Sequence, residues 1–65
     1  MKYYVKKIID FFKNIGIKNI DELLLNRYYI FLKDSDSIVS AFNNIDLVNT
    51  VLKINDSYDY IDEII

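Results

Sequence analysis

Between Asp34 and Ile54 the apolar residues Ile38, Val39, Phe42, Ile45, Val48, Val51 and Leu52 return at steps of three and four. A helix turns once every 3.6 residues, so this spacing gathers them on one face, whereas a strand would scatter them. Asp34, Ser35 and Asp36 stand ahead of the stripe with side-chain oxygens suited to the unpaired N–H groups of a first helical turn. Asn43, Asn44 and Asp46 interrupt it midway, which predicts two consecutive helices with a bend between them.

A second stripe, Tyr4, Val5, Ile8, Ile9, Phe12 and Ile15, is opposed by Lys2, Lys6, Asp10 and Lys13. Gly16 follows where a helix needs a left-handed residue to end, and Ile17 is placed to pack back over it. Asp10 and Lys13 are spaced as a favourable i,i+3 pair. Lys2, Lys6 and Lys7 crowd the end of this helix where the macrodipole favours anions. Either the helix starts later, with Lys2–Val5 extended, or the basic end is kept for an anion.

Asn19, Asp21 and Glu22 read as a helix start, with Asn19 as cap and Glu22 reaching back. The stripe Ile20, Leu23, Leu24, Tyr28, Phe31, Leu32 carries that helix on to Lys33. Residues 27–33 are also aromatic and β-branched enough for a strand, which would turn the fold into α+β if they paired with an extended N-terminus. Helix is the stronger reading, because the stripe runs on from the cap. The run from Asp56 to Ile65 predicts a short last helix docked by Ile61, Ile64 and Ile65, with an acidic outer face bearing exposed Tyr58 and Tyr60.

The expected fold is all-α, a single domain spanning residues 1–65 built from four or five short helices. Its expected core is Val5, Ile8, Ile9, Phe12, Ile15, Ile20, Leu23, Leu24, Phe31, Leu32, Ile38, Val39, Phe42, Ile45, Val48, Val51, Leu52 and Ile61. Residues 8–19 and 38–49 echo each other, with Ile8/Ile38, Phe12/Phe42 and Ile15/Ile45 coinciding, as two helices of similar design would.

A chain of 65 residues with 52% hydrophobic residues and no cysteine has little interior and no disulfide to staple it. Part of its apolar surface is therefore expected to be covered by a partner, with a homodimer or higher oligomer the default. The Ile-, Lys-, Asn-, Tyr- and Phe-rich composition is the kind that A/T-rich codons encode, as in phages, archaeal viruses and some low-GC bacteria. No secretory signal is expected, since Lys6, Lys7 and Asp10 interrupt what would be its apolar core. No stretch approaches the roughly 18–20 apolar residues of a membrane span, so the expected location is the cytoplasm of a host cell, away from membrane.

Without His or Cys, and with one Gly, the chain has no nucleophile–His pair and no phosphate-cradling loop. It is read as not an enzyme, with no cofactor and no metal. Asp34-Ser-Asp-Ser37 opens like a calcium loop but lacks its third ligand, its Gly and its closing Glu, and reads as a helix cap.

Charge is what points to function. Residues 1–33 hold seven basic and three acidic side chains, a net +4, and residues 34–65 hold one basic and seven acidic, a net −6. The halves either attract each other or each face an oppositely charged partner. Asp34, Asp36, Asp46, Asp56, Asp59, Asp62 and Glu63, with Tyr58 and Tyr60, form the expected partner-binding set. Carboxylates on a rigid surface present charge to Arg and Lys as phosphates do. The function expected is a small inhibitor that occupies the basic, nucleic-acid-binding surface of a host protein such as a defence nuclease. The alternative is a dimeric nucleic-acid-binding regulator that sets its Lys-rich first helix against phosphates.

Overall fold

The computed structural model describes residues 2–65, with side chains from Val5 onward. Four α-helices are present, α1 (Lys2–Ile15), α2 (Ile20–Asn26), α3 (Ser35–Ala41) and α4 (Leu47–Asp56). Two 3₁₀ segments join them, Tyr28–Leu32 between α2 and α3, and Tyr58–Glu63 after α4. No strand occurs among the described residues, so the all-α reading holds and residues 27–33 are not a strand.

Helix α1 packs against α2, the first 3₁₀ segment and α3, while α4 packs chiefly on the second 3₁₀ segment. It is helical from Lys2, so the extended N-terminus is excluded; the expected roles of the Lys2 and Tyr4 side chains lie outside the described residues. Phe12 is wholly buried. Its ring meets Phe31 and Phe42 edge-on, with centroids 5.6 and 5.9 Å away, and Phe11 closes on Phe42 at 5.7 Å. Edge-to-face contacts set the positive ring edge against the negative face and add roughly 0.5–1.5 kcal/mol beyond burial. The two halves of the sequence echo thus meet at Phe12 and Phe42.

The end of α1 is as the sequence predicts. Gly16 has φ +99°, its N–H donates to the Lys13 carbonyl at 3.1 Å, and that of Ile17 donates to the Phe12 carbonyl at 2.9 Å. This paired closure satisfies two orphan carbonyls, and Ile17 is buried behind it. The expected Asp10–Lys13 pair is replaced by an exposed i,i+4 pair, Lys6 to Asp10 at 3.1 Å.

Asn19 precedes α2 but caps nothing with its side chain. Its Nδ2 donates instead to the Ile54 carbonyl at 2.9 Å, while its Oδ1 is buried without a partner. Asn55 returns the favour from α4, accepting from the Lys18 N–H at 2.8 Å and donating to the Gly16 carbonyl at 3.1 Å. The 16–19 loop is held to α4 by this clasp, and the clasp has taken the side chain that the cap required.

The expected helix through Lys33 stops at Asn26. Arg27 leaves helical geometry (φ −137°, ψ 42°), and the next five residues tighten into 3₁₀. At three residues per turn Leu32 aligns with Tyr29 instead of with the buried side, and Leu32 is exposed while Ile30 takes its place in the core. The bend at Asn43–Asp46 is present and separates α3 from α4. Asp34 sits at the cap of α3 without a side-chain hydrogen bond, but Asp46 caps α4, accepting from the Asn49 N–H at 3.3 Å and from Asn49 Nδ2 at 2.7 Å.

The bend also resets the helical phase. Beyond it the inward stripe is Leu47, Thr50, Val51 and Ile54, an i, i+3, i+4, i+7 set, and not a continuation of the α3 stripe. Val48 and Leu52, expected in the core, are instead 71% and 61% exposed, and Ile45 at the bend is exposed as well. Val39 is half-buried. The last segment is 3₁₀ and begins after Ser57, with Asp56 closing α4 where a helix start was expected; Ile61 anchors it in the core.

Candidate partner-binding face

Arg27, the chain's single arginine, does what no pattern in the sequence singled out. The break after α2 aims its side chain at the second 3₁₀ segment. Its Nε donates to both Asp62 oxygens at 3.0 and 3.2 Å, and its Nη2 to Asp62 at 2.9 Å and Asp59 at 2.8 Å. Nη1 donates to the Asn26 carbonyl at 2.9 Å, and the guanidinium lies 5.4 Å from the centre of the Tyr58 ring. Tyr29 adds its hydroxyl to Asp62 at 3.3 Å. A planar fork of donors suits this two-carboxylate, ring-stacked arrangement in a way an ammonium does not.

The electrostatic consequence follows the geometry. Hydrogen bonding from Arg27 holds the Asp62 carboxyl below its ordinary value, against a smaller opposing effect of desolvation. The Arg27 guanidinium is correspondingly held protonated, chiefly by Asp62. The attraction between the basic and acidic halves is therefore realised within the chain, at least at this site. Tyr58 is half-buried beneath Arg27 and packs on the core, so it is not the exposed contact residue expected.

Asp56, Asp59, Tyr60 and Glu63 come together. They line an open groove of about 520 Å³ with Leu52, Lys53 and Ser57. Tyr60 is half-buried and forms part of the groove wall, with the Lys53 ammonium 5.2 Å from its ring centre. The expected set does not form one face, however. Asp62 is turned to Arg27, and Asp46 caps the far end of α4, roughly 15 Å from Asp56 at 1.5 Å per residue. Asp34 and Asp36 stand at the start of α3, outside the groove. They are exposed, as first-turn acids at a helix start commonly are.

What remains free is specific. Among the described residues Asp56 and Glu63 have no ion-pair partner, whereas Asp59 is shared with Arg27. A ring wall, two free carboxylates and an open mouth suit a cationic side chain. No group of three or more potential metal ligands is gathered among the described residues, and no described helix is long and apolar enough to cross a membrane. On the basic side, Lys6 is already paired with Asp10, which reduces the cationic surface of α1.

Comparison with protein-family models, curated proteins and solved structures finds no match to this chain.

Proposed function

We propose that this chain is a small non-catalytic protein-binding domain, an inhibitor that inserts its acidic groove against basic side chains of a partner protein. The partner's surface is one that otherwise holds nucleic acid, as on a defence nuclease, and the setting is the host cytoplasm during the life of a phage or mobile element. The observation that carries this reading is that Asp56 and Glu63, neither of them in an ion pair among the described residues, line one groove with the Tyr60 ring. A guanidinium or ammonium entering there meets carboxylates where phosphates would otherwise stand, beside a Tyr60 ring already faced by the Lys53 ammonium. Charge of this kind raises the rate of encounter and excludes wrongly charged partners more than it adds raw affinity.

The test is retention of nucleic-acid-binding proteins from host lysate on the immobilised domain, with release by an added oligonucleotide. A nuclease retained by wild type, displaced by the oligonucleotide and lost from an Asp56→Asn, Glu63→Gln double variant supports the proposal. Equal retention by the double variant, or binding of the oligonucleotide to this chain itself, contradicts it; the second outcome favours the regulator reading through α1.

A further inference from the structure

Leu52 is a ridge between two grooves. At 100° per residue, Val48, Val51 and Asn55 fall to one side of it around α4, and Lys53 and Asp56 fall to the other. The first side opens into an apolar groove of about 300 Å³, lined by Ile15, Leu47, Val48 and Val51 and bordered by Lys18. The second side is the acidic groove with Asp56 and Glu63. Leu52 lines both. The Lys18 backbone is tied to Asn55, which sets it level with the C-terminal turn of α4, the same level at which Asp56 lies on the opposite flank. A single face therefore carries a cation, an exposed apolar ridge and carboxylates, in that order across α4.

Such a face is complementary to itself. The geometry points to a two-fold homodimer in which α4 packs on α4 of a second copy, the Leu52 ridges meeting at the axis and the Lys18 flank of each copy lying against the acidic flank of the other. A two-fold axis along α4 exchanges the flanks, so Lys18 of each copy faces Asp56 and Glu63 of its partner. An axis across α4 sets like charges together and is disfavoured. Lys18, Asp56 and Glu63 have no ion-pair partner among the described residues and are free to make these contacts. Isologous dimers need this self-matching, with one patch used twice. A stable interface takes about 800 Å² from each copy, roughly a fifth of the 4294 Å² surface. Dimerisation covers Asp56 and Glu63; if the proposed function holds, the dimer is a stored form that partner binding must open.

Sedimentation of the purified full chain, without any partner, tests the dimer independently of that function. Wild type is expected to run at twice 7.8 kDa at micromolar concentration. Lys18→Glu and Glu63→Lys alone each weaken the dimer at least tenfold, and the two combined restore it to within a few-fold of wild type. Leu52→Lys gives a monomer with unchanged melting by circular dichroism at low concentration. A wild-type monomer throughout, a dimer insensitive to Leu52→Lys, or no rescue in the charge-swapped double variant overturns the inference.

Discussion

At the residue scale, Arg27 decides how the acidic tail is held, and Asp62 makes that contact readable by pH. The hydrogen bonds from Arg27 keep the folded Asp62 carboxyl below 3.8, its ordinary value. On acidification the unfolded chain takes up this proton first, so the contribution to stability is present above about pH 4 and is lost as pH falls through the folded value. Asp62→Asn should therefore flatten the acid limb of melting temperature against pH and lower melting at neutral pH. Identical limbs in both proteins would show that the Arg27 contact contributes nothing to stability. Phe12 is the other decisive residue. Truncating it to Ala removes a ring in contact with three others and should cost about 3–5 kcal/mol, close to the whole stability of a domain this small. Val48→Ala, on the exposed side of α4, should stay within about 0.5 kcal/mol when both variants are unfolded by urea at concentrations where the chain is monomeric. Similar losses at both sites would mean that α4 is rotated from the position described.

At the scale of elements, the helix ends explain what was readable in advance. Gly16 and Ile17 were readable because a left-handed residue followed by a hydrophobic one has one local use at a helix end, and the backbone alone settles it. Gly16→Ala tests this. A Cβ there meets only Val51 Cγ1 at 3.6 Å, ordinary contact, so the expected cost of roughly 1–2 kcal/mol comes from φ and not from crowding. A neutral Gly16→Ala would mean that α1 ends differently. The bend at Asn43–Asp46 was equally local, and it was found. Three features were not local and escaped. The Asn19 side chain was drawn away from its cap by Ile54, thirty-five residues on. The phase of α4 is set by packing after the bend, so carrying the α3 stripe across it placed Val48 and Leu52 inside. The switch to 3₁₀ after Asn26 follows from the Arg27 ion pairs and the docking of Ile30 and Phe31, none of which apolar periodicity encodes.

At the scale of the molecule, charge asymmetry between the halves was visible in the sequence, but its division of labour was not. One part of the acidic half is spent on internal structure: Asp62 and Asp59 on Arg27, and Asp46 on the cap of α4. Another part, Asp56 and Glu63, is left facing a groove. Only the fold distinguishes them, because both kinds occur within the same eight-residue run of the sequence. The surplus apolar content is divided in the same way, with Phe12 and its neighbours inside and Val48 and Leu52 outside.

The central claim is that division between structural and binding carboxylates, and paired neutralisation measures it most directly. Asp59→Asn, Asp62→Asn removes the charges held by Arg27; Asp56→Asn, Glu63→Gln removes those left free in the groove. Affinity for a basic partner protein is measured for both pairs at low and high salt, with melting temperature alongside. The first pair should melt lower. At concentrations where the chain is monomeric, the second should melt like wild type and lose affinity, mainly through slower association, and the wild-type advantage over it should shrink as salt screens the attraction. Unchanged affinity in the second pair, with unchanged melting, would contradict the account.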